Sequence, residues 1–205
     1  LINRPNKSML DRLVSQKTKL QVYFTLNFIV ALMAWFISWR ALLFFSFYIF
    51  LIWFYSHKLK KIVFIGNLSA ALLAVWPFFA ILLYYYQPTS IEELERHKDH
   101  FAVIIAHASF LFLLILIREL IKDLENLKGD LANNYHTIPV FYGENWSKRI
   151  STVLTILTLV PVYILIELYD VGYMDIYFYS SLIVLLFFLL LLWQYNNKTH
   201  YIRLH

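Results

Sequence analysis

The sequence predicts an all-α protein, a polytopic transmembrane helix bundle with six spans. Three observations carry this. Of 205 residues, 60% are hydrophobic and only 15% charged, more apolar surface than a soluble core of this length can hide. The apolar residues gather into runs of about 20, the length at which a helix crosses hydrocarbon while satisfying its own backbone. The basic residues fall in alternate connections.

The first span, 20–38, follows the polar run Asn3-Arg4-Pro5-Asn6-Lys7 and contains Asn27. The second, 41–55, is short. The third, 66–86, contains Pro77 and the fifth, 151–169, contains Pro161; each proline removes one backbone donor and favours a kink. The fourth, 101–117, is bounded by charge and carries His107, and the sixth covers 177–195. Asn27 and His107 are read as helix-to-helix hydrogen-bonding groups. No repeat and no low-complexity linker divides the chain, so residues 1–205 form one domain.

Placing 1–19, 56–65, 118–150 and 196–205 on one side of the bilayer collects 15 of the 18 Lys and Arg residues. Arg40, Arg96 and Lys98 remain opposite, with acidic residues such as Glu92, Asp99 and Asp175. Both termini and the 118–150 connection are therefore expected on the cytoplasmic face of the cell inner membrane. The net charge of +5 is accounted for by this topology, and no nucleic-acid partner is implied. Absence of cysteine excludes a disulfide framework and a thiolate metal site. The N-terminus has neither a cleavable signal nor an initiator Met, so the chain is expected to begin within a longer protein.

Chemistry concentrates where the fourth span continues into Arg118-Glu119-Leu120-Ile121-Lys122-Asp123-Leu124-Glu125-Asn126-Leu127-Lys128-Gly129-Asp130. On an unbroken helix Glu119, Asp123, Asn126 and Asp130 fall at offsets 0, 4, 7 and 11, along one face. Arg118, Lys122 and Glu125 lie beside that stripe. Like charges at this spacing cost an isolated helix roughly 0.2–0.5 kcal/mol, so their stacking calls for a compensating cation. Oxygen-only ligands favour a hard ion such as Mg²⁺. Asp123 and Asp130 would stand about 10 Å apart, too far for one ion to bridge. Either two metals sit along the stripe, or Gly129 ends the helix and folds Asp130 back. The bland alternative is a solvated helix end in which Glu119 and Asp123 pair with Lys122, Arg118 or Lys128.

The string from Arg118 to Asp130, followed by Thr137-Ile138-Pro139-Val140 and Gly143, resembles the second aspartate-rich motif and following loop of the UbiA superfamily of membrane prenyltransferases. Asp123, Gly129, Asp130, Thr137, Pro139 and Gly143 match residue by residue, while Asn126 replaces the usual Asp and Lys128 a common acidic residue. Tyr55-Ser56-His57-Lys58-Leu59-Lys60 resembles the family's YSxxLK segment, and Gly66-Asn67 its GN pair. Asn3-Arg4-Pro5-Asn6-Lys7 resembles the sequence just downstream of the family's first aspartate cluster, with Ser8 in place of a second Pro. The resemblance covers essentially the whole chain, as about the third to eighth of nine helices, and implies that two helices and half of the metal site precede Leu1 and that a last helix follows His205.

The resemblance implies Mg²⁺-dependent transfer of an isoprenyl group from an isoprenyl diphosphate to a hydrophobic or amphipathic acceptor in the bilayer. Asp123 and Asp130 would be ligands, assisted by Asn126 or Glu119. Arg4, Lys7, Lys60, Arg118 and Lys122 would face the diphosphate, and Tyr55, with Trp53 and Trp76 as further candidates, would offer an aromatic face to an allylic cation. The acceptor is an aromatic quinone precursor or a glycerol phosphate lipid, with a slight preference for the geranylgeranylglycerol-phosphate-transferring branch. The chain alone is expected to be inactive, because one cluster lacks its facing ligands. The competing classes are a transport bundle, which would carry polar residues deep in several spans, and a non-catalytic assembly subunit whose acidic stripe docks a basic partner.

Overall fold

The computed structural model describes residues 14–85, 98–169, 172–194 and 198–204, and every regular element among them is helical. Arg4 and Lys7 lie outside the described residues. The first helix, α1 (Gln16–Ile37), is N-capped by Ser15, whose Oγ accepts from the Thr18 N–H at 3.1 Å. A single extended residue, Ser38, separates it from α2 (Trp39–His57) and caps that helix by accepting from the Ala41 N–H at 3.1 Å. A 3₁₀ turn, Leu59–Lys61, leads to α3 (Ile65–Tyr85). The helix α4 (Lys98–Ala132) follows, then the short α5 (Ile138–Tyr142) and α6 (Glu144–Leu157). Next come α7 (Leu159–Tyr163), a π-helical stretch Ile164–Leu168, α8 (Met174–Leu192) and α9 (Lys198–Leu204).

Among the described residues, five segments are long and apolar enough to cross a bilayer: Gln16–Ile37, Trp39–Lys61, Lys98–Ala132, Glu144–Leu168 and Met174–Leu192. The sixth expected span is α3, 21 residues long and apolar over Ile65–Ile81. Large side chains such as Phe36, Trp35 and Val184 point outward, and α1 buries only Ala34. In lipid that exposure carries no hydrophobic penalty.

The fourth helix is the axis on which the others are assembled. It packs against α3, α5, α6, α7 and α9. Ala106 and Phe110 of α4 meet Val162, Leu165 and Phe178 in one core cluster; Ile117, Ile121 and Leu124 meet Leu192 and Tyr201 in a second. With 35 residues α4 is about 50 Å long, well beyond the roughly 30 Å of a hydrocarbon core. Its first part spans, and the remainder from Arg118 onward projects past the apolar layer.

Each proline removes one backbone donor, with different remedies. Pro161 lies within α7, between the helix break at Thr158 and the π-helical stretch beyond. Pro77 lies inside α3, where its missing N–H leaves the carbonyl of Leu73 without its helical donor. The Tyr48 hydroxyl of α2 donates to that carbonyl oxygen at 3.0 Å. In a medium without water the bond both satisfies an orphan and ties α2 to α3. Tyr48→Phe is expected to lower stability by about 1 kcal/mol in a detergent unfolding titration. The loss should shrink in the Pro77→Ala background, where residue 77 regains its own donor.

Candidate functional site

Three stretches distant in sequence converge where α4 leaves the apolar layer. The end of α2 and its 3₁₀ turn contribute Tyr55 and Lys60, and the first turn of α3 contributes Gly66 and Asn67. The α4 extension contributes Glu119, Lys122, Asp123, Asn126 and Asp130, and the following loop adds Asn133, Tyr135 and Thr137. Together they line a polar cavity of about 240 Å³. All four stripe residues thus face one space.

Of the two geometries open for the stripe, the structure takes the unbroken helix. Gly129 is buried within α4, which continues to Ala132 and stops where Asn134 turns left-handed at φ 54°. The released chain folds back: the Tyr135 N–H donates to the Asp130 carbonyl at 2.9 Å, and Asn133 Nδ2 donates to the Gly129 carbonyl at 2.6 Å. Thr137 Oγ1 then reaches Asp130 Oδ2 at 3.5 Å. Pro139 sits in the first turn of α5, where a missing N–H costs nothing. Gly143 stands between α5 and α6 at φ 89° and ψ 164°, a region open essentially to glycine alone. The loop residues therefore serve to return the chain against the end of α4.

The two aspartates are held differently. Asn67 Nδ2 donates to Asp123 Oδ2 at 2.8 Å, a side-chain bridge between α3 and α4. Burial raises the Asp123 carboxyl to a pKa of about 7, against the Asn67 hydrogen bond and Lys122 and with help from the charges of Asp130 and Glu119. Asp130 is also raised, chiefly by burial, while the Thr137 hydrogen bond, Lys60 and Lys122 pull it down. Both groups lie on the extension outside the apolar span. Glu119 is already compensated: Lys122 Nζ donates to its Oε2 at 2.5 Å and Arg118 Nη1 lies 3.7 Å from its Oε1. The salt-bridge reading is realised for Glu119, whereas Asp123 is bonded to a neutral amide.

Arg118 is exposed and absent from the cavity lining, in contrast to Lys60 and Lys122. Of the aromatic candidates, Tyr55 lines the cavity. Trp53 is about half exposed beside His57, and Trp76 stacks on Phe44 at 5.8 Å, in an aromatic cluster between α2 and α3. Asn126 Nδ2 donates to the Lys122 carbonyl at 2.8 Å, directing the amide along its own helix. Among the described residues no three acidic or histidine side chains converge closely enough to hold an ion by themselves. The donors present are all oxygens and suit a hard cation, whose remaining ligands would be phosphate oxygens, water or other side chains. The bond from Asn67 to Asp123 escapes sequence reasoning; the only local signal is the Gly66-Asn67 pair.

Residues 2–201 match the family described as the UbiA prenyltransferase family. A relative from Pyrococcus furiosus, digeranylgeranylglyceryl phosphate synthase, is 27% identical over 184 residues, covering 89% of this chain and 61% of its own. A protein of the same name from Methanosphaera stadtmanae is 30% identical over 63% of this chain and 43% of its own. Another from Methanopyrus kandleri is 46% identical over 25% of this chain and 20% of its own. The chain spans about three-fifths of the length of the first of these relatives. No solved structure matches it.

Gly143→Ala is expected to cost about 1–3 kcal/mol from backbone strain alone, since an added Cβ would meet nothing within 4 Å. Thermal melting in detergent would measure it, and an unchanged midpoint would contradict the assigned backbone role.

Proposed function

The chain belongs to the UbiA prenyltransferase family, and from that membership we propose that it forms the larger part of an integral membrane enzyme transferring an isoprenyl group from its diphosphate to a glycerol phosphate lipid. The carrying observation is the convergence of Tyr55, Lys60, Asn67, Asp123 and Asp130 on one cavity at the end of the apolar layer. The acceptor is taken from the relatives, which bear the name digeranylgeranylglyceryl phosphate synthase. The bias of basic residues toward the connections on this side supports a cytoplasmic orientation for the cavity.

In the reaction the allylic carbon–oxygen bond breaks, diphosphate departs with the electron pair, and the acceptor hydroxyl forms a new carbon–oxygen bond as its proton passes to the departing diphosphate or to water. A divalent cation such as Mg²⁺, when bound, would supply Lewis-acid stabilisation of the leaving diphosphate. Asp123 and Asp130 are the residues proposed to hold it, with Asn126 assisting and Glu119 already bound to Lys122. Lys60 presents its ammonium group to the departing charge, and Lys122, already bound to Glu119, adds a second cation at the cavity wall. Tyr55 offers its ring as an electron-rich wall for the allylic carbon. The isoprenoid tail would be held in the apolar layer beside the cavity, each buried methylene contributing about 0.8 kcal/mol.

Membranes containing the full-length protein are expected to transfer label from geranylgeranyl diphosphate into extractable lipid when a glycerol phosphate acceptor is supplied. Transfer should vanish with EDTA and fall on the order of 10²–10³-fold in Asp123→Ala, with the protein still inserted and folded. Full activity in that variant would remove Asp123 from the site. Labelling of a phenolic acceptor instead would reassign the acceptor, and no product with any acceptor would favour a non-catalytic bundle.

A further inference from the structure

We infer that Asn67 is a positioning residue for Asp123, holding that carboxylate in place with a neutral donor so that its charge stays available for a divalent cation. The inference rests on the function proposed above. Asn67 is 7% exposed, in the first turn of α3, and its Nδ2 lies 2.8 Å from Asp123 Oδ2 across 56 residues of sequence. One carboxylate oxygen is engaged, which fixes the plane in which the group can turn.

The chemistry of the residue type supports positioning over simple burial. A Lys or Arg here would neutralise Asp123 and compete with any cation. An Asp would add like charge beside an already desolvated carboxylate. A hydrocarbon side chain would leave Asp123 free to rotate. A carboxamide orients without neutralising, in the way outer groups orient the ligands of metal sites.

The backbone around Asn67 is built to hold its height. The Gly66 N–H donates to the Ile62 carbonyl at 3.0 Å, and a Cβ at Gly66 would lie 3.1 Å from the Lys60 carbonyl oxygen. The 3₁₀ turn is thus seated directly on the start of α3. Phe64, between them, takes a left-handed φ of 63°, a conformation a bulky residue adopts only when its surroundings enforce it. One compact corner therefore carries both Lys60 and Asn67 to the cavity.

The test uses full-length protein in detergent with Mn²⁺ and inorganic pyrophosphate as probes, Mn²⁺ binding being read by electron paramagnetic resonance independently of turnover. Asn67→Ala and Asn67→Leu are compared with wild type; Leu keeps the branched outline of Asn, is bulkier, and removes the donor. Both variants are expected to weaken Mn²⁺ binding by about 10–100-fold. The melting midpoint of Asn67→Leu should stay near that of wild type. Wild-type Mn²⁺ affinity in Asn67→Leu would overturn positioning and leave the proposed function standing. Failure of the wild-type protein itself to bind Mn²⁺ with pyrophosphate would overturn both.

Discussion

Every peptide group that enters hydrocarbon must find its hydrogen-bond partner within the chain, and the architecture of this protein follows from that constraint. Helices satisfy it internally, and the places where helices fail show the same demand. Ser38 supplies an oxygen to the start of α2 where the chain turns on a single residue. Tyr48 donates to the Leu73 carbonyl that Pro77 leaves without a donor. Around Pro161 the chain shifts into α7 and a π-helical stretch instead of breaking into open loop.

The same constraint explains why the polar site can be placed so firmly. α4 does not stop at the edge of the apolar layer; its 35 residues carry an uninterrupted hydrogen-bond ladder outward. Rigidity established by packing in the membrane is thereby conveyed to Glu119, Asp123, Asn126 and Asp130. Ile117, Ile121 and Leu124 anchor the opposite face against Leu192 and Tyr201, and Tyr201 donates to Glu144 Oε2 at 2.9 Å at the start of α6. The acidic stripe is therefore turned toward α2 and α3 because the apolar stripe of the same helix is engaged elsewhere.

Electrostatics then separates the carboxylates into two kinds. Glu119 has two cations beside it and serves locally as a salt-bridge partner. Asp123 and Asp130 are desolvated, bonded to an amide and a hydroxyl, and face cations across a cavity instead of in contact. Such carboxylates gain more from an added cation than a fully paired one does, which is the physical basis for assigning them, and not Glu119, the leading ligand role.

How much of this is legible in sequence depends on the range of the interaction. The spans and the 3.6-residue stripe follow from local composition and periodicity, since a helix places residues 4, 7 and 11 apart on one face whatever surrounds it, while Gly143 was legible only as part of the family's loop motif. The loop motif was legible as a pattern, and Asn134, the residue that turns left-handed beyond the end of α4, was not, because an Asn in that conformation leaves a weaker mark than a glycine. Lys122 lies nearer the centre of the stripe than Arg118 by helical period, and in the structure Lys122 enters the cavity while Arg118 faces outward. By itself, then, the sequence determined the apolar spans, their order and the chemical class of the stripe. The tertiary structure alone decided that Asn67 meets Asp123 and Thr137 meets Asp130, because those distances depend on how separate helices cross and on where a loop returns, which no local period encodes.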